Sequence, residues 1–244
     1  MSEVSIEGTS VFVTGGSSGI GRACALALAR RGARVSIAAL ADDDLREMEA
    51  LELPGGGRFR CFGGDLTDDG FLNDLGAKVA ETDILVNVAG IAVAAPFLDN
   101  DPADWDQMFA VNVRATMRLT LAAARGMVSR GSGHIITITS ALAHKVSPNT
   151  LCYAATKHAL SAMHQGIRLE LLGKGVRSTE IRPGLVANTR LGHGNTHPAV
   201  KNHTTGRAYR GIDPEDVARA VAYAATAPAN VEIDVLEIKP LGQL

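Results

Sequence analysis

The chain has 244 residues, 46% hydrophobic and 20% charged, with a net charge of −2. This composition excludes a disordered chain, supports one large α/β domain or two small ones, and offers no electrostatic reason to bind nucleic acid or an anionic membrane. No apolar run reaches membrane-spanning length, Met1-Ser2-Glu3 begins no secretory signal, and the odd, scattered Cys24, Cys61 and Cys152 fit reduced thiols, so the expected location is cytoplasmic.

Strand-like and helix-like stretches alternate along the chain. Ser10 to Thr14 is apolar and β-branched, and Ile20 to Arg31 is rich in alanine and leucine. A strand at Arg34 to Ala39 and a helix at Asp42 to Leu53 follow, broken by Pro54-Gly55-Gly56-Gly57. Next come a strand at Arg58 to Phe62, a helix near Thr67 to Ala80 and a strand at Asp83 to Val86. Asp101-Pro102 opens a long helix, with an N-cap aspartate and a proline at the first helical position, ending near Gly131. The strand Ile135 to Thr139 leads to Ser140, and a helix carrying Tyr153 stops near Gly173. Val176 to Arg182, a helix from Asp213-Pro214 to about Thr226, and Ile233 to Ile238 complete the series. Such alternation predicts parallel strands with helices on both faces.

Tyr153 and Lys157 lie four apart, so in a helix they share one face. A free tyrosine has a pKa of about 10 and is a poor base at neutral pH. A neighbouring ammonium favours the phenolate, so Lys157 is expected to lower the pKa of Tyr153. Ser140 would sit at the carboxyl end of its strand, where ligands bind in open α/β sheets. Alone, the pair reads equally as a surface tyrosine beside a solvated lysine. The stretch Thr14-Gly15-Gly16-Ser17-Ser18-Gly19-Ile20-Gly21 supplies context. Its glycines allow close backbone approach, and it feeds a helix whose free N–H groups attract a pyrophosphate.

These residues resemble the short-chain dehydrogenase/reductase family over nearly the whole chain. The resemblance rests on the glycine turn, on Asn87-Val88-Ala89-Gly90, on Asn112, on Ser140, Tyr153 and Lys157 at family spacing, and on Arg182-Pro183-Gly184. It implies a single Rossmann-like domain over 1–244 with a doubly wound, parallel seven-stranded sheet, and hydride transfer to or from NAD or NADP. By the resemblance Ser140 holds the substrate oxygen, Tyr153 is the general acid/base, Lys157 tunes it and binds the nicotinamide ribose, and Asn112 orders a water leading to solvent. The cofactor would lie along Gly15, Ser17, Ser18, Gly19, Ile20 and Gly21, then Ala39 and Leu40, Asp65 and Leu66, and Asn87, Ala89 and Gly90. It would end at Tyr153 and Lys157 and at Pro183, Gly184 and Val186. Asn188 stands where the family usually has a threonine for the carboxamide, with Thr189 next to it, and Val88 replaces a usual asparagine. Relatives often form homotetramers, and the apolar residues of the long helix and of the Tyr153 helix lead to the same expectation.

Cofactor choice is read at the end of the second strand, where Ala39 and Leu40 replace the usual acid and arginine. Asp42-Asp43-Asp44 follows, cap residues whose field opposes the 2′-phosphate of NADP, and the balance favours NAD. The segment 190–210 is expected to cover the substrate. It carries Arg190, His193, His197, Lys201, His203, Arg207 and Arg210 without an acid, so it is either a solvated basic loop or a seat for an anionic small molecule. A metal is not expected there. His144 either meets substrate or caps a turn. The carboxyl end resembles the branch that acts on small 3-hydroxy acids, hydroxy amino acids or aldehydes. The readings are thus an alcohol dehydrogenase or carbonyl reductase acting on a small polar hydroxy compound, a 3-oxoacyl thioester reductase, or a non-catalytic nucleotide sensor.

Overall fold

The computed structural model describes residues 4–53, 56–189, 191, 200 and 209–243. Its strands are β1 (Ser10–Thr14), β2 (Arg34–Ala39), β3 (Arg60–Gly63), β4 (Ile84–Asn87), β5 (Gly133–Ile138), β6 (Val176–Pro183) and β7 (Val235–Ile238). Helices α1 (Gly19–Ala29), α2 (Asp43–Ala50), α3 (Asp69–Val79), α4 (Pro102–Met108), α5 (Thr116–Arg130), α6 (Leu151–Glu170) and α7 (Pro214–Ala225) connect or follow them. All seven strands pair in parallel in the order β3-β2-β1-β4-β5-β6-β7. The order reverses between β1 and β4, so a crevice opens above Thr14 and Asn87, which are paired in register.

Side chains alternate across each strand, and the two faces feed two cores. Val11, Val13, Ile37, Val86 and Ile136 pack on one face against α1 and α7 through Ala25, Leu28, Val217 and Val221. Phe12, Leu85 and Ile135 pack on the other against α3 and α5 through Leu72, Leu75, Leu119 and Met127. Because both faces are covered, the strands are near-continuous apolar runs, which is why they read clearly in the sequence.

Aspartates start the helices. Asp42, Asp68 and Asp101 accept from Leu45, Phe71 and Ala103 backbone N–H groups, and Asp213 and Asp216 form a reciprocal cap at α7. The long helix expected from Pro102 is not uniform. Residues Phe109–Ala115 form a π-helical stretch between α4 and α5. The wider turn accommodates Asn112 facing inward, 0% exposed, where its amide donates to the Ile91 carbonyl and the Thr156 hydroxyl and accepts from Ile91 N–H. Such bulges occur often at functional sites. The third strand begins later than expected, at Arg60, because Arg58 instead bridges back to Glu52.

Candidate active site

The turn after β1 packs tightly. Gly15 has φ +66°, and a Cβ there would lie 2.9 Å from the Ala89 Cα; a Cβ on Gly21 would meet the Gly15 carbonyl oxygen at 1.9 Å. A larger residue at Gly21 would push α1 away from the turn, and one at Gly15 would displace Ala89. Ser18 is the N-cap of α1 in extended conformation, and its side chain makes no cap hydrogen bond. The first N–H groups of α1 therefore remain available to an anion.

A cavity of about 1260 Å³ begins at this turn and runs over the carboxyl ends of the strands. That exceeds the roughly 300–1,000 Å³ of an ordinary small-ligand pocket, so it has room for a dinucleotide and a substrate together. Gly15, Ser17, Ser18, Gly19, Ile20 and Gly21 line it, as do Ala39, Leu40, Asp65, Leu66, Ala89 and Gly90, and at the far end Pro183, Gly184 and Val186. The residues present fit such a group: an uncapped helix start lines the cavity together with a serine, a tyrosine and a lysine, Ser140, Tyr153 and Lys157.

β5 delivers Ser140 to the wall of the cavity, and α6 delivers Tyr153 and Lys157 from the facing side. The Ser140 hydroxyl faces the same cavity as the Tyr153 phenol and accepts from Leu142 N–H at 3.1 Å. Lys157 Nζ donates to the Ile138 carbonyl at 3.2 Å and lies 5.6 Å from the centre of the Tyr153 ring. The electrostatics differ from the sequence expectation. Burial pushes the Tyr153 phenol up to about 12, with the Ser140 hydroxyl opposing it. Burial also presses the Lys157 ammonium down to about 8, opposed by the Glu180 carboxylate. The causes acting on Tyr153 are burial and Ser140, while the Lys157 ammonium is directed to the Ile138 carbonyl and not to the phenol oxygen.

Behind this pair sits Glu180, fully buried, accepting from Thr139 at 2.6 Å, Ser161 at 3.0 Å and both ends of Arg182 at 2.9 Å. Burial alone would raise its carboxyl; the hydrogen bonds from Arg182 and Thr139 outweigh that and hold it below the usual carboxylate range. The network ties β5, β6 and α6 together just below Ser140. Nothing in the sequence spacing signalled it.

Several expected site residues stand elsewhere. Asn87 is buried beneath the cavity and donates to Thr120 and Thr137, leaving its Oδ1 without a partner. Asn112 is likewise behind the wall. Asn188 adopts φ +53° and turns toward Asp213 at 3.5 Å, whereas Thr189 lines the cavity. His144 does not line the cavity; it ends the short helical turn Ala141–Ala143, 3.7 Å from Glu237. Arg190, with His193, His197, Lys201, His203 and Arg207, lies outside the described residues. Arg210 pairs with Asp213 at 3.3 Å. At the Leu40 end, Arg22 pairs with Glu47 at 2.9 Å and Arg46 with Asp43, while Asp42 borders the cavity. The carboxyl-terminal Gly242 and Gln243 also line it, a contribution the sequence reading missed.

Among the described residues no cluster of three or more histidine, cysteine or carboxylate side chains forms a metal site, and no helix is long and apolar enough to cross a membrane.

A family model described as short chain dehydrogenase matches residues 9–198. A glycine betaine reductase of Emericella nidulans is 32% identical over 239 residues, which cover 96% of this chain but 19% of that protein, so the chain spans about a fifth of that relative. An uncharacterised oxidoreductase of Staphylococcus haemolyticus is 30% identical over 240 residues, covering 97% of this chain and 99% of the other. Among solved structures, the closed form of a serine dehydrogenase complexed with NADP+ is 30% identical with a TM-score of 0.87, covering 96% of each chain. A metagenomic short-chain oxidoreductase in complex with NADP is 29% identical with a TM-score of 0.80, covering 96% of this chain and 97% of the other. Matched over most of its length by the family model and nearly end to end by a relative of its own size, this chain belongs to the short-chain dehydrogenase family.

Proposed function

We propose that the protein interconverts an alcohol and its carbonyl compound with a nicotinamide dinucleotide, NAD by preference, and that its substrate is a small polar hydroxy compound. The observation that carries this reading is the meeting of Ser140, Tyr153 and Lys157 on the wall of the cavity that begins at the uncapped start of α1.

The glycine turn and the first N–H groups of α1 would hold the pyrophosphate, Asp65 and Leu66 the adenine end, and Lys157, Pro183, Gly184 and Val186 the nicotinamide end. Bound there, the cofactor would supply the hydride acceptor or donor. Ser140 donates a hydrogen bond to the substrate oxygen and fixes the reacting carbon. In oxidation Tyr153, as phenolate, takes the hydroxyl proton while the carbon–hydrogen bond breaks and the C=O bond forms; in reduction it returns that proton. With its phenol near 12, Tyr153 needs additional positive charge beside it to act as a base at neutral pH. Lys157, near 8, is mostly cationic at that pH and is the charge this chain supplies. Asn112, wedged against Ile91 and Thr156, keeps the α4–α5 helix seated against α6, beside Lys157.

A small polar substrate suits a cavity lined both by apolar Val93, Leu142 and Val146 and by polar Gln107, Asn149 and Gln243. The neighbour described as a serine dehydrogenase supports the same size class. Purified protein should be assayed with NAD and NADP against simple alcohols, 3-hydroxy acids, sulfonated alcohols and acetoacetyl thioesters. Turnover of a small hydroxy compound that disappears in Tyr153→Phe supports the reading. Tight cofactor binding without any turnover favours a nucleotide sensor, and turnover confined to thioesters favours the acyl reductase.

A further inference from the structure

The chain's carboxyl-terminal tail folds back onto the substrate end of the cavity and places one side chain there whose polar groups are only half used. After β7, Gly184 N–H bonds the Ile238 carbonyl at 2.7 Å, and a turn closed by Gln243 N–H on the Pro240 carbonyl at 3.0 Å returns the chain to the wall. Gly242, at φ +91°, provides the reversal beside Tyr209. Gln243 Oε1 then accepts from Leu185 N–H at 2.8 Å. Gly184 leaves the space for this contact: a Cβ on it would lie 2.3 Å from Gln243 Oε1. The Leu185 N–H is a donor and needs an acceptor, which fixes the orientation of the amide. The NH2 end of Gln243 is therefore the end left over, and among the described residues no partner takes it. Gln243 lines the same cavity as Ser140 and Tyr153.

We propose that Gln243 is a specificity-determining residue: clamped by Leu185 through its oxygen, it donates an N–H to an acceptor oxygen of the substrate other than the reacting one. This rests on the alcohol–carbonyl reading above. An amide is a neutral donor, so the group recognised is an oxygen such as a carboxylate or carbonyl. A site built around such a bond rejects the analogue that lacks the oxygen, because the donor is then left unpaired.

The test uses the full-length protein with 3-hydroxybutyrate and butan-2-ol, which share the reacting centre and differ by the carboxylate. Gln243→Glu keeps an acceptor for Leu185 N–H but replaces the free donor with a second acceptor. Gln243→Leu removes both functions. If Gln243 reads the substrate, Gln243→Glu lowers kcat/KM for 3-hydroxybutyrate at least tenfold more than for butan-2-ol, mainly through KM, while cofactor affinity measured by fluorescence stays within twofold. If Gln243 only clamps the loop, Gln243→Leu lowers both substrates alike and Gln243→Glu shows no difference between them, and the assignment is overturned. A wild-type protein that oxidises neither these two nor any other small hydroxy compound of the panel above overturns the hydroxy-compound reading and this assignment with it; one that oxidises both, with equal effects of Gln243→Glu, overturns the assignment alone.

Discussion

Lys157 places its ammonium against the Ile138 carbonyl at 3.2 Å and 5.6 Å from the centre of the Tyr153 ring, so the cation lies beside the phenol ring and is not bonded to its oxygen. In the proposed reaction, Tyr153 as proton carrier depends for its activation on what joins it in the cavity. Tyr153→Phe should lower kcat by at least about a thousandfold, within the usual range for losing a general acid–base group, while cofactor affinity changes little. Lys157→Ala should weaken both cofactor binding and turnover. Steady-state kinetics with fluorescence titration of the cofactor checks the pair; near-normal turnover by Tyr153→Phe would remove Tyr153 from the mechanism.

The Ser140 hydroxyl acts to lower the Tyr153 pKa against the burial that raises it. Removing the hydroxyl in Ser140→Ala should therefore move the rise of oxidative kcat to higher pH. A hydrogen bond to a charged group contributes roughly 1.5–3 kcal/mol, which corresponds to roughly 1–2 pH units. A pH–rate profile of the variant decides: an unchanged limb with a lower plateau would reduce Ser140 to a substrate contact alone.

Much of this fold was legible because the sheet is covered on both sides. Runs such as Ile84–Asn87 and Gly133–Ile138 need apolar residues at nearly every position, and aspartates such as Asp101 and Asp213 mark the helix starts between them. Ser140, Tyr153 and Lys157 were legible because one strand–helix unit carries all three. What escaped depends on contacts far apart in sequence or on single backbone angles. The left-handed turn at Asn188 moves the cavity position to Thr189, and no spacing rule encodes that angle. The burial that raises Tyr153 and lowers Lys157 belongs to the folded chain, not to their separation. Gln243 meets Leu185 across 58 residues, and Glu180 gathers partners from three elements.

His134 offers a pH test of stability. It is buried, and its Nε2 faces Thr179 Oγ1 at 2.8 Å. Thr179 donates its own proton to the Ile233 carbonyl at 2.6 Å, so His134 must be the donor through Nε2. Its Nδ1 is then a bare lone pair without a partner. Burial, reinforced by the Arg177 cation, lowers its pKa from 6.5 to about 3. The unfolded chain takes up a proton near pH 6.5 that the folded chain refuses until far lower, so this contribution to stability is lost as pH falls through that window. Each pH unit corresponds to about 1.4 kcal/mol, or about 2 kcal/mol between pH 6.5 and pH 5. Urea unfolding at both pH values should show a smaller acid loss in His134→Gln than in the parent. Equal losses would assign the acid sensitivity to other groups.

Exposed apolar side chains on the helices support an oligomer. Phe109, Met117 and Leu121 are exposed along the π-helical stretch and α5, and Leu169 and Leu172 are exposed at and just beyond the end of α6. We expect a tetramer of paired subunits in light scattering at micromolar protein. The double substitution Met117→Glu with Leu121→Glu should at least halve the mass by placing charge in an apolar contact. A monomeric parent protein would return these residues to ordinary surface exposure.

Cofactor choice turns on the few residues around Leu40. Leu40 is 60% exposed at the edge of the cavity, where an arginine would be needed to meet a 2′-phosphate. The nearest alternatives are occupied: Arg22 by Glu47 and Arg46 by Asp43. Both pairs are exposed, and such pairs contribute at most about 1 kcal/mol, so a phosphate carrying about two charges has the strength to pull Arg22 away. That route, and the NADP held by two solved relatives, is the argument for NADP. Against it stands Asp42, which borders the cavity with its carboxylate fixed by Leu45 N–H at 3.1 Å and cannot turn away without uncapping α2. Because Asp42 is held in place whereas Arg22 must first leave its partner, NAD is the cofactor we propose. Leu40→Arg should then raise kcat/KM with NADP at least tenfold while altering NAD little, because a charge-assisted bond contributes roughly 1.5–3 kcal/mol. Steady-state kinetics of parent and variant with both cofactors measures this. A parent enzyme already tenfold better with NADP would show that Arg22 leaves Glu47, and Arg22→Ala would then abolish that preference.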